Sequence, residues 1–204
     1  MVDTTFIDEL SSAAPTPGGG GASAYCGALA SALASMVANL TVGKKKYAAV
    51  EEDMQDALAA LEILRGQLID LIEKDAEAFA PLAAAYGMPR ETPEQQQAKN
   101  DALQYALVGA CEAPLQIMEA CAQVIDLCDV VARQGSRMAV SDAGVAAAFG
   151  KAALQGASLN VFINAKSMDD RQQAQAYTGH AYNLIMQFGE QADSVFDYVM
   201  KEIQ

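Results

Sequence analysis

Pro15-Thr16-Pro17-Gly18-Gly19-Gly20-Gly21 runs directly into residues 22–42, a stretch without one charged side chain. Proline removes a backbone donor, and each glycine carries a large ordering entropy, so these seven residues read as an irregular segment lying outside any helix. The Ala-, Leu- and Met-rich run behind them reads as a buried helix that closes at Gly43, a C-cap residue. Bare amides, absent Cβ atoms and the positive end of a helix dipole together make a seat for an anionic or carbonyl group. Gly18, Gly19 and Gly20 are therefore candidate binding residues. No Gly-Lys-Ser/Thr follows and no apolar strand precedes them, which excludes a P-loop and a dinucleotide fingerprint. A tight connector between two helices is the alternative reading.

The chain of 204 residues carries a net charge of −13, one histidine and no tryptophan. Its length allows a sizeable core, and no repeat or linker divides it, so a single domain over 1–204 is expected. The acidic balance argues against phosphate-backbone binding and hence against a nucleic-acid partner. With His180 alone, neither a His-based metal site nor a His-based triad can be assembled, and no metal is expected. Cys26, Cys111, Cys121 and Cys128 show no CxxC spacing and read as free thiols in a reducing, cytoplasmic setting. The acidic start (Asp3, Asp8, Glu9) lacks a basic n-region, so no signal peptide is expected. Residues 22–42 are long enough to span a bilayer. Their Ala, Gly and Ser content, Asn39 and the absence of flanking aromatics instead indicate a helix buried in a soluble bundle, with no membrane partner.

Along the chain, Asp3 can cap a short helix reaching about Ala13. In the uncharged helix Ser23, Gly27, Ser31, Ser35 and Asn39 recur every four residues, a stripe for close backbone packing or for a polar pocket. Lys44-Lys45-Lys46 is the one basic cluster, read either as dipole complementation or as a grip on a substrate's carboxylates. Residues 47–85 read as one long helix whose seam is Val50, Met54, Leu58, Leu61, Leu64, Leu68 and Ile72. The next positions on that seam are Asp75, Phe79 and Leu82, while Glu73, Lys74 and Glu77 fall off it. A carboxyl held in an apolar stripe has its pKa raised, which suits Asp75 to general-acid work. Pairing of Asp75 with a buried Lys or Ser is the plainer alternative.

Thr92-Pro93-Glu94-Gln95 is a helix start with a capping box, and the helix runs to about Arg133 across Pro114. Ser141 is expected to cap a helix over 142–166 that begins at Asp142. That helix is again poor in charge, with Gly156, Asn160 and Asn164 at four-residue spacing. Ser167 and Asp170 suggest a last capping box before an amphipathic helix with possible bends at Gly179 and Gly189. The expected fold is an all-α multihelical bundle centred on two Ala/Gly-rich helices. Their apolar surface exceeds what such a bundle hides, so a homodimer is expected.

Five segments in order extend this reading: Pro17-Gly18-Gly19-Gly20, Met36-Val37-Ala38-Asn39-Leu40-Thr41-Val42-Gly43, Lys74-Asp75-Ala76-Glu77-Ala78-Phe79, Ser141-Asp142-Ala143-Gly144-Val145 and Asn160-Val161-Phe162-Ile163-Asn164. With them, nearly the whole chain resembles the cyclodeaminase/cyclohydrolase family of folate enzymes. The resemblance implies an all-helical homodimer with sites at the subunit interface and a tetrahydrofolate derivative as substrate, with no further cofactor. It implies formimidoyltetrahydrofolate cyclodeaminase activity, with methenyltetrahydrofolate cyclohydrolase as the alternative. A non-catalytic folate-binding helical dimer is the alternative from another class. Asp75 matches the family's proposed proton donor. The glycine loop, Lys44, Asp142, Asn160 and Asn164 are the candidates for substrate binding. The chain has Gly21 where relatives often have Ser, and Gly135-Ser136-Arg137-Met138-Ala139 where many have an Asn-rich turn.

Overall fold

The computed structural model describes residues 4–204 and contains helices α1 (Thr5–Leu10), α2 (Gly19–Asn39), α3 (Glu51–Tyr86), α4 (Pro93–Gln134), α5 (Val140–Lys166) and α6 (Arg171–Ile203). Among these residues there is no strand. Short 3₁₀ turns at Lys45–Val50 and Arg137–Ala139 lead into α3 and α5. The all-α bundle expected from the helical periodicity is present. The N-cap assigned to Asp3 lies outside the described residues, and α1 ends at Leu10 rather than near Ala13.

The seam of α3 buries Met54, Leu61, Leu64 and Leu68, and leaves Glu73, Lys74 and Glu77 exposed. Thr92 caps α4 as expected: its hydroxyl accepts the Gln95 N–H at 3.3 Å while Gln95 Oε1 accepts the Thr92 N–H at 3.2 Å. Asp170 caps α6 through the Gln173 N–H at 3.0 Å, so Ser167 is not the capping residue, and α6 runs unbroken past Gly179 and Gly189. Ser141 is not the cap of α5 either. The chain enters α5 through the 137–139 turn, where Thr41 Oγ1 accepts the Ser136 N–H at 2.8 Å, and the helix begins at Val140.

Two nearly uncharged helices form the centre: α2 packs on α3, α4 and α5, and α5 packs on α2, α4 and α6. The small-residue stripe of α2 serves this packing. Ser31 Oγ donates to the Leu61 carbonyl of α3 at 2.7 Å. A Cβ at Gly27 would lie 2.8 Å from Cys121 Sγ and 3.2 Å from Leu68 Cδ2. Cys111, Cys121 and Cys128 are buried free thiols, and burial pushes Cys111 and Cys128 up to about 12.

α2 and α5 run antiparallel. Gly19 lies beside Asn160, Ser23 beside Gly156, and Cys26 Sγ donates to the Phe149 carbonyl at 3.4 Å. A second, smaller core cluster of Leu82, Leu107, Cys111, Ala165 and Met168 sits where α3 ends and α5 ends. It supports the end of the bundle that carries the glycines.

Overpacking at a close helix contact costs about 1–3 kcal/mol. Gly27→Val is expected to lower stability by at least about 2 kcal/mol in denaturant titration. Gly66 on α3 is exposed, with nothing within 4 Å of the position a Cβ would take. There Gly66→Ala should raise stability by about 0.5–1 kcal/mol through helix propensity alone.

Candidate active site

The glycine run belongs to a helix, which corrects the expectation of an irregular segment. Gly18 is the N-cap of α2, and Gly19, Gly20 and Gly21 form its first turn. The entropy cost of glycine is outweighed here by a close approach that no other residue allows. A Cβ at Gly20 would overlap both carboxylate oxygens of Asp75. Asp75 Oδ2 accepts the Gly21 N–H at 3.0 Å. That amide is one of the orphan donors at the helix start, and the carboxylate takes the capping place no side chain fills.

The Gly21 partner is a backbone group, so the seat does not depend on which side chain occupies position 21. A Cβ there would meet Ile72 and Pro17 at ordinary contact distances of 3.6 and 3.7 Å.

Asp75 is half-buried on the α3 seam, as its position in the apolar pattern implies. Burial pushes its carboxyl above the ordinary range, and the Gly21 N–H opposes that rise without cancelling it. The plainer expectation, a buried Lys or Ser as partner, is replaced by this amide.

Asp75 opens onto a cavity of about 330 Å³. One wall is α3, through Asp75, Phe79, Leu82 and Tyr86. Facing it stand Pro15, Thr16 and Gly18–Gly20. α5 contributes Asn160, Ile163 and Asn164, and α4 contributes Ala110. Among the described residues lining it, Asp75 is the only carboxylate. The size and the mixture of apolar walls with a few polar groups suit a small organic ligand. Phe79 and Leu82 could be read in advance from the seam; Tyr86, Thr16 and Ala110 could not.

The structure therefore brings together Asp75, Gly18, Gly19, Gly20, Asn160 and Asn164. It does not bring Lys44 or Asp142 to them. Both lie at the other end of the antiparallel α2/α5 pair, beyond the C-terminus of α2 and in the first turn of α5. At 1.5 Å per residue, the length of α2 separates them from the cavity by about 30 Å within one chain. Lys44 is exposed there, near the turn where Tyr47 Oη accepts the Arg137 N–H at 3.1 Å. The Ser136–Ala139 turn also lies at this far end and does not line the cavity.

A sequence profile of the family described as formiminotransferase-cyclodeaminase matches residues 3–182. A methenyltetrahydrofolate cyclohydrolase of Methylorubrum extorquens is 43% identical over 199 residues, 98% of this chain and 96% of its own. The formimidoyltransferase-cyclodeaminase of Rattus norvegicus is 34% identical over 81% of this chain, which matches only 30% of that longer protein. The crystal structure of formiminotetrahydrofolate cyclodeaminase from Thermotoga maritima superposes with a TM-score of 0.81 at 30% identity, covering 99% of this chain and 95% of that one. A profile match over most of the chain and a likeness running almost end to end place it plainly: the chain belongs to the formiminotransferase-cyclodeaminase family.

Proposed function

We propose that the protein is an enzyme of folate one-carbon metabolism that hydrolyses 5,10-methenyltetrahydrofolate to 10-formyltetrahydrofolate. The observation that carries the chemistry is Asp75, the one carboxylate among the described residues lining the cavity, half-buried with a raised pKa against the N-terminus of α2. The choice of water as the incoming group rests on the relative named as a cyclohydrolase, whose likeness spans both chains almost entirely.

In this reading the ionised carboxyl faces the cationic carbon bridging N5 and N10. Asp75 accepts a proton from water as the oxygen bonds to that carbon, giving a neutral carbinolamine. Asp75 then returns the proton to N5 while the carbon–N5 bond breaks. The carbinol hydroxyl loses its own proton to solvent as it becomes the formyl carbonyl. One water is consumed and one proton is released overall. Burial raises the Asp75 pKa, so the carboxylate is a better proton acceptor here than an exposed aspartate would be.

The cyclodeaminase reaction is the second reading, favoured by the solved relative of that name. There N10 attacks the formimino carbon, and Asp75, protonated, supplies the proton that the departing nitrogen needs to leave as ammonia.

The homodimer belongs to the same proposal. The outer faces of α2 and α5 are exposed and apolar, with Leu29, Met36, Phe149 and Leu159 uncovered, and Leu159 is 68% exposed. α2 carries no charge, so a second copy is the occupant that such a self-complementary face fits. A twofold axis perpendicular to these helices would set the Lys44–Asp142 end of one subunit beside the cavity of the other. The basic end would then meet the carboxylates of the folate tail. A cytoplasmic location accompanies this reading.

Asp75→Asn is expected to lower kcat by at least about 100-fold while leaving folate binding within a few-fold. Unchanged turnover would remove Asp75 from the mechanism. Because the base must be ionised, hydrolysis should fail as pH falls through the raised pKa, with an acid limb above the ordinary carboxylate value of about 3.9. A proton donor would instead give loss as pH rises. Assay with methenyltetrahydrofolate and with the formimidoyl substrate separates the two reactions. For the dimer, mixing inactive Asp75→Asn with inactive Lys44→Ala should restore activity, since one site of each mixed dimer is then intact. Mixed dimers that form and stay inactive would contradict the antiparallel arrangement.

A further inference from the structure

Pro114 lies inside α4 and has no N–H, so the Ala110 carbonyl one turn earlier loses its intrahelical partner. Ala110 is on the cavity wall. The carbonyl is satisfied from another helix: Asn164 Nδ2 of α5 donates to it at 2.6 Å. A carbonyl only accepts, so the Asn164 amide has one allowed orientation, nitrogen toward α4 and Oδ1 left over. One turn earlier on α5, Asn160 Nδ2 donates to the Gly156 carbonyl at 3.3 Å, which again leaves Oδ1 free of that bond. Both asparagines line the cavity. One N–H of each amide is held by backbone, which fixes its orientation and leaves Oδ1, an acceptor, and the second N–H as what this wall offers a ligand.

We propose that Pro114 is a positioning residue: by freeing the Ala110 carbonyl it holds Asn164 as a hydrogen-bond acceptor, and the α5 wall thereby selects the N–H-bearing edge of the substrate. On a reduced folate that edge is the 2-amino-4-oxopyrimidine with its amino group and ring N–H. This inference rests on the folate reading of the cavity. A proline within a helix costs stability, and here the cost has a use. The same backbone carbonyl that loses its helical bond becomes the anchor for a ligand-reading amide. Asn164 is thereby fixed by α4 as well as by its own helix, which suits a group meant to discriminate rather than adapt.

The test compares binding of tetrahydrofolate with binding of its analogue carrying methyl in place of the 2-amino group, by calorimetry on the whole protein. Wild type should prefer tetrahydrofolate by about tenfold or more, the effect of one acceptor left unpaired by the analogue. Pro114→Ala returns an N–H to the Ala110 carbonyl and releases Asn164. It should keep or raise Tm, lose most of the preference and raise KM with little change in kcat. Asn164→Leu should lose the preference also, and the double variant should be no worse than Asn164→Leu alone. A purely structural proline would predict a folded Pro114→Ala protein with wild-type preference and KM, and that result overturns the inference while leaving the folate reading intact. Wild type that binds neither compound overturns both.

Discussion

The contact on which this structure turns is the Asp75 carboxylate against the bare start of α2. Three glycines can begin a helix only at an entropic disadvantage, and here that disadvantage is tied to a purpose. Any side chain at Gly20 would occupy the space of the carboxylate. Without the Gly21 N–H, the carboxyl would be a half-buried group with no partner of its own. Burial favours the neutral acid, the amide and the helix dipole favour the anion, and burial is the larger effect. The outcome is a carboxyl that takes up a proton more readily than an exposed aspartate.

The rest of the fold places that contact. α3 supplies the seam that carries Asp75 into the bundle, and the small residues of α2 let α3 and α4 come close enough to keep it there. The antiparallel pairing of α2 with α5 brings Asn160 to Gly19. Pro114 of α4 and Asn164 of α5 then close the opposite wall through the Ala110 carbonyl. Two helix-breaking features, a glycine run and an internal proline, thus meet in one cavity. Each is tolerated because a group from another helix uses what it exposes.

Helical periodicity was sufficient to read the elements, because apolar residues at three- and four-residue steps report directly which face is buried. The same step led from Ile72 to Asp75, and so to the central carboxyl, without any knowledge of its partner. The Thr92–Gln95 box was legible because capping is local. Local entropy alone makes the glycine run look irregular, and it is the tertiary contact at Gly20 that turns it into a helix start. Within one chain Lys44 and Asp142 lie far from the cavity, because α2 and α5 run antiparallel, a relation that neighbouring motifs in a sequence do not reveal. The link between Pro114 and Asn164 joins residues 50 positions apart through a backbone atom, which no residue pattern records.

The proton chemistry requires Asp75 to titrate above an ordinary carboxyl. Its side-chain carbon can be followed by ¹³C NMR in protein labelled at aspartate, with the resonance assigned by its loss in Asp75→Asn. A midpoint clearly above about 3.9, the value for an exposed aspartate, is expected. A midpoint at or below that value would mean that the Gly21 amide and the helix dipole prevail, leaving a fixed anion that cannot exchange protons near neutral pH.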